Sequence, residues 1–276
     1  MNVGILIPLQ KDPYSAIAQA AELGFSSGQV SVWNMDLYNP ETEKQLREAC
    51  REYGFTVTAL WCGWSGPVDW SYPNMYQTLG LVPAAWRSQR TADLLAGAAF
   101  AHNLGIRDVV THLGYLPDDP FHPDRMGVVQ AVRYLCGVIG RRGQRLLIET
   151  GEDLPNTLVQ FIKETVADNI GLNFDPANLL INGRANPADA LCMLAPWVMG
   201  CHGKDGIYPR NGNPKGKEVQ VGHGQADFPR LVGILKSIGY TGDITIEHER
   251  HDSGHRLAEI KAAKEYLSGL IDGEGT

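Results

Sequence analysis

Four ionisable residues stand at the ends of four successive apolar runs in the second half of the sequence. Residues 146–148 run into Glu149, 170–174 into Asp175, 197–201 into His202 and 244–246 into Glu247. A single acid after an apolar run is usually the first solvated residue beyond a strand. Four in succession suggest convergence, and three carboxylates at one point cannot all stay ionised without a cation. A divalent ion resolves that conflict. Three carboxylates and an imidazole, with no thiolate, are mostly hard donors. They suit one divalent metal ion, Mn2+ first, with Mg2+, Co2+ or Zn2+ as further candidates.

Such an ion, bound to a carbonyl oxygen and the adjacent hydroxyl, stabilises the enediolate left by proton loss. One carboxylate removes the proton and another group returns it. Return to the other face of the same carbon gives epimerisation. Return to the neighbouring carbon gives aldose–ketose isomerisation, and loss of a β-hydroxyl gives dehydration. The residue types leave these outcomes open.

The elements that must position these residues follow from an alternation of short apolar runs and amphipathic stretches. Strands are expected at 3–9, 28–33, 55–62, 108–112, 146–149, 170–174, 197–202 and 243–247. Helices are expected at 12–23, 41–53, 89–104, 124–142, 154–166, about 187–194, about 227–238 and 255–270. Leu23-Gly24-Phe25, Tyr53-Gly54-Phe55, Leu104-Gly105-Ile106 and Ile238-Gly239-Tyr240 each place Gly where a helix stops before a strand. Strict alternation implies parallel strands with right-handed crossovers. Eight such units predict an α/β chain forming one (β/α)8 TIM barrel domain over 1–276, with an insert at about 63–88 rich in Trp and Pro. No GxGxxG follows the first strand, against a dinucleotide-binding fold. In a barrel of this kind the strand C-termini form the active site.

Composition narrows the functional classes. Lys+Arg is 24 against Asp+Glu 31, a net charge of −7, which disfavours a nucleic-acid partner. The multi-zinc apurinic endonuclease type is disfavoured for the same reason and by the sparse His near strand ends. Cys50, Cys62, Cys136, Cys192 and Cys201 are odd in number, widely spaced and without CxxC, so neither a disulfide framework nor a thiolate zinc site is expected. No apolar run approaches the roughly 20 residues that span a membrane. A cytoplasmic enzyme is the expectation, and a homo-oligomer is compatible with it.

The series Ile148-Glu149, Asn173-Phe174-Asp175-Pro176-Ala177-Asn178, His202-Gly203-Lys204-Asp205, Gly222-His223-Gly224-Gln225-Ala226-Asp227-Phe228 and Ile244-Thr245-Ile246-Glu247 resembles the xylose isomerase-like barrel superfamily. More narrowly, it resembles the sugar phosphate isomerase/epimerase proteins that include tagatose 3-epimerase-like enzymes. The resemblance covers essentially the whole chain. It implies Glu149, Asp175, His202 and Glu247 as metal ligands, and Glu149 and Glu247 as a catalytic acid/base pair on opposite faces of a small sugar or sugar derivative. The chain departs from the pattern at Asn178, where the epimerases commonly carry a substrate-contacting His. A metal-dependent isomerase or epimerase is the leading reading. The alternative is a lyase on the same site, a dehydratase or C-glycoside-cleaving enzyme.

Secondary candidates for substrate contact are His112, Asn178, Lys204, Asp205, Trp61 and Trp33. Trp64 and Trp86 are further candidate pocket walls. Glu152 and Glu249 lie near the candidate ligands, either solvated or supporting them. His251 and His255 read as surface residues.

Overall fold

The computed structural model describes residues 1–250 and 254–273. Its elements, in order, are β1 (Asn2–Pro8), α1 (Pro13–Glu22), β2 (Ser27–Val32), α2 (Pro40–Tyr53), β3 (Thr56–Cys62), α3 (Met75–Thr78), α4 (Ala84–Asn103), β4 (Asp108–Thr111), α5 (Pro123–Gly140), β5 (Arg145–Glu149), α6 (Pro155–Thr165), β6 (Ile170–Phe174), α7 (Pro176–Ile181), α8 (Pro187–Leu194), β7 (Val198–Gly203), β8 (Asp205–Ile207), β9 (Lys217–Val219), α9 (Phe228–Ser237), β10 (Asp243–Ile246) and α10 (Arg256–Asp272). Eight parallel strands close into a barrel in the order β1-β10-β7-β6-β5-β4-β3-β2. The fold is the TIM barrel that the alternation predicts.

Local chemistry explains the joints. Several helices open with an Asx side chain accepting an amide of the first turn, followed by Pro where no N–H is needed: Asp12 on Ser15, Asn39 on Thr42, Asn186 on Ala188 and Asp227 on Arg230. The glycines read as helix stops, Gly24, Gly54, Gly105 and Gly239, all have φ between 62° and 80°, the left-handed region that Gly enters without a Cβ penalty.

Three segments differ from the sequence expectation. Helix α4 starts at Ala84, so the irregular insert ends near residue 83 rather than 88, and it contains the single turn α3. The short helix α7 follows β6 directly, where none was expected. The stretch expected as a plain loop, 206–224, carries an antiparallel hairpin in which Asp205 pairs with Val219 and Ile207 with Lys217. His255 is exposed, as expected, while His251 lies outside the described residues.

A second hydrophobic cluster, separate from the main core, lies below the insert and joins Trp61, Trp64, Met75, Leu79 and Tyr115. Arg90 of α4 ties the insert down. Fully buried, it donates to the carbonyls of Ser65 (3.1 Å), Gly80 (2.6 Å) and Pro67 (2.8 Å). Its guanidinium lies 5.4 Å from the Trp64 ring centre and 5.9 Å from that of Trp86. Replacing it leaves three carbonyls short of a donor, at about 1–3 kcal/mol for each that stays buried. Arg90→Met is therefore expected to lower Tm by several degrees and to open the insert to protease before the barrel unfolds. Cleavage within the insert no faster than in the parent protein would refute this.

Candidate metal centre

The four residues singled out at strand ends meet in space. Glu149 is the last residue of β5, Asp175 follows β6, His202 lies in β7 and Glu247 follows β10, four consecutive barrel strands. All four are buried, and one potential ligand atom from each lies within 4.8 Å of the others. His202 Nδ1 is 3.4 Å from Glu149 Oε1, 3.5 Å from Asp175 Oδ2 and 3.1 Å from Glu247 Oε2. Asp175 divides its work: Oδ1 caps α7 by accepting from the Asn178 amide at 2.9 Å, while Oδ2 has no hydrogen-bond partner. His202 Nδ1 also lacks one. Two unpartnered buried polar atoms facing the same point fit a cation, which would engage both.

The other side of His202 fits as well. Its Nε2 is 3.1 Å from Gln29 Oε1 and 2.9 Å from Asn173 Nδ2, and Gln29 Nε2 donates to Asn173 Oδ1 at 2.9 Å. With an ion at Nδ1 the ring proton would sit on Nε2 and Gln29 Oε1 would accept it, while the Asn173 amide nitrogen, itself a donor, would have to move aside. In the metal-free chain, burial alone would lower the His202 pKa. Glu149 and Glu247 more than offset this and hold it well above the ordinary value, so the imidazolium balances the acids. The two glutamates differ. Burial pushes Glu149 up despite the two imidazoles beside it. Glu247 would also be raised by burial, but Lys204 and His202 bring it below the usual range.

Asn178, Lys204, Trp61 and His112 all reach this cluster. Asn178 Nδ2 donates to Glu149 Oε1 at 3.0 Å, and Trp61 Nε1 donates to Glu149 Oε2. Lys204 Nζ donates to Glu247 Oε2 at 2.9 Å and to Glu249 Oε2. His112 Nδ1 is 3.0 Å from Glu152 Oε2, with Nε2 turned towards Glu149 Oε1 at 3.7 Å. Burial alone would lower the His112 pKa, but Glu152 and Glu149 lift it to about 9. Trp33 packs on Trp61 with ring centres 5.1 Å apart.

Asp205 is placed differently from its expected substrate contact. Its carboxylate accepts from the amides of Gly206, Ala226, Gly222 and Gly224, which engages both oxygens in fastening the turn after β9. Trp86 packs over Gly66 in the insert, where an added Cβ would meet its ring at 2.6 Å, so it braces the insert from within. Two residues near the cluster, Gln29 and Trp70, escaped the sequence reading. Gln29 stands mid-strand among small residues. Trp70, in the insert, stacks edge-on with His112 at 5.3 Å. Lys215 reaches across from the hairpin loop to the Trp70 carbonyl at 3.4 Å.

The profile of one protein family, the xylose isomerase-like TIM barrel, matches residues 17–270. The chain belongs to this family. Its curated relatives are matched over only about a third of their length. One of them, the uncharacterized protein YihM of Escherichia coli K12, is 35% identical over 114 residues, 41% of this chain and 35% of that protein. Among solved structures, a xylose isomerase domain protein from Planctomyces limnophilus superposes with a TM-score of 0.90 at 29% identity, covering 98% of this chain and 97% of that one. D-psicose 3-epimerase from Clostridium cellulolyticum H10 shares the fold at TM-score 0.72 and 16% identity, covering 98% and 99%. The probable 3-DHS dehydratase AsbF from Bacillus anthracis does so at 0.69 and 17%, covering 97% and 99%. This xylose isomerase-like barrel thus has both epimerase and dehydratase neighbours in fold.

Mn2+ added to metal-stripped protein is expected to bind one ion per chain. At a hundredfold excess over Kd it should stabilise the fold by about 2.7 kcal/mol. Asp175→Asn should abolish that shift, and Gln29→Leu should weaken affinity by about 10–100-fold. Calorimetric titration and thermal melts read both; an unchanged affinity in Gln29→Leu would remove the amide from the account.

Proposed function

We propose that the protein is a divalent-metal-dependent sugar isomerase or epimerase acting by proton abstraction beside a carbonyl. The observation that carries this reading is the pair of unpartnered buried atoms, Asp175 Oδ2 and His202 Nδ1, set between the Glu149 and Glu247 carboxylates. Glu149, Asp175, His202 and Glu247 would hold the ion, with Mn2+ the best match to their donor set. A bound divalent ion supplies Lewis acidity that polarises a carbonyl and the hydroxyl beside it.

The chain's own residues do the remainder. Glu149 and Glu247 enter from β5 and from the end of β10, so they can flank a sugar and act as the proton-accepting and proton-donating pair. Asn178 and Trp61 each donate to one oxygen of Glu149, which fixes the plane of that carboxylate. Lys204 does the same for Glu247. His112, oriented by Glu152, presents Nε2 to substrate oxygens, while Trp61 and Trp33 wall the cleft for the C–H face of a sugar. A second reading is elimination. It is supported by the dehydratase among the fold neighbours and by His112, which could protonate a leaving β-hydroxyl. The five free cysteines and the lack of a membrane-length apolar helix among the described residues support a reducing, cytoplasmic setting.

Recovery of the sugar from D2O decides the matter. Isomerisation or epimerisation deposits one deuterium on the carbon beside the carbonyl, whereas elimination yields a dehydrated product. Glu149→Gln and Glu247→Gln are expected to slow exchange by about 10²–10⁴. Full exchange in both variants would overturn the assignment.

A further inference from the structure

Four aromatic rings form a continuous arc at the mouth of the barrel. Trp33 lies 5.1 Å from Trp61, Trp61 lies 5.3 Å from His112, and His112 lies 5.3 Å from Trp70. The middle of the arc is buried and touches the acidic cluster, since Trp61 donates to Glu149 and His112 Nε2 faces the same carboxylate. Its two ends emerge. Trp33 is 42% exposed and Trp70 is 38% exposed, against 4% for Trp61 between them.

Both ends are held in place. Gly63 makes room for Trp33, because a Cβ there would come within 2.5 Å of its ring. Lys215 fixes the Trp70 carbonyl from the opposite hairpin. Below them, Trp64, Met75 and Tyr115 fill the second hydrophobic cluster, so the exposed faces stand on a packed base. A sugar reacting beside Glu149 would lie against Trp61, His112 and the inner part of Trp33, while Trp70 stands one ring beyond His112. The emergent indoles extend beyond it, towards solvent.

We propose that Trp33 and Trp70 bind the non-reacting ring of a glycoside, so that the substrate is a substituted sugar rather than a free monosaccharide. This rests on the sugar-converting reading above. The shared chemistry is a ring with a flat apolar face, which stacks on indole whether it is an aryl aglycone or a second sugar.

The test uses Mn2+-loaded protein and three glycosides of one keto-sugar, carrying methyl, phenyl or glucosyl groups. Binding is measured by calorimetry and turnover by deuterium uptake. The phenyl or glucosyl compound is expected to bind about tenfold tighter than the methyl one, and whichever gains tells aryl from sugar. Trp70→Ala should reduce that preference while leaving the methyl compound unchanged, whereas Trp33→Ala, which also removes a wall of the cleft beside Trp61, should lower the preference and weaken the methyl compound too. Trp70→Leu, which keeps apolar bulk, guards against collapse of the insert and should also lose the preference. Equal affinities across the set, absent binding, or a preference that survives in all the variants would overturn the proposal. A preference without deuterium uptake in any compound leaves the subsite standing and instead removes the proposed reaction.

Discussion

Charge balance at one buried point governs the upper half of this barrel. Three carboxylates brought out of water would each seek a proton or a positive partner, because an isolated buried charge costs far more than a fold can spare. The chain provides two built-in cations, His202 and Lys204, which form ion pairs with the acids, yet Asp175 Oδ2 and His202 Nδ1 are left without a hydrogen-bond partner. Burial alone would lower the Lys204 pKa. Glu247, Glu249 and Asp175 instead hold its pKa well above the ordinary value. The imidazolium, held protonated by Glu149 and Glu247, takes the role of a cation among the acids.

The surrounding shell keeps each charge aimed. Amides do much of this work: Gln29 and Asn173 below His202, and Asn178 beside Glu149. Strand β7 and the residues just beyond it serve several parts of the site in close succession, with His202 facing the acids, Lys204 joining Glu247 to Glu249, and Asp205 gathering three amides of a distant turn and that of Gly206. The hairpin loop that carries Lys215 is therefore anchored beside a residue of the centre itself.

Much of this was legible in the sequence because barrel strands are short apolar runs whose ends are marked. Glu149, Asp175, His202 and Glu247 each carried that mark, and the glycine joints counted the units. What escaped lacked a local signature. Gln29 is an amide between Gly28 and Val30, and nothing nearby reveals that its partner lies on β7. Trp70 sits in an aperiodic insert, where composition announces aromatics without saying which one packs against His112. Asp205 was read as a substrate group because it follows a candidate ligand, while three of its four amide partners lie 17–21 residues further on. Helix α7 is too short to show a stripe, and the start of α4 was hidden because Trp86 extends the composition of the insert.

The hydrogen bond from Gln29 to His202 joins positions 173 residues apart. Only a chain that has already threaded β2 and β7 into one closed ring can make it. Loop closure over such separations is entropically slow, and contacts of this kind form after local helices and adjacent hairpins. The orientation of the imidazole therefore depends on closure of the ring rather than on its neighbours in sequence. The strands before β7 supply Glu149 and Asp175 alone of the four residues, so the cluster exists only where β7 and β10 join them.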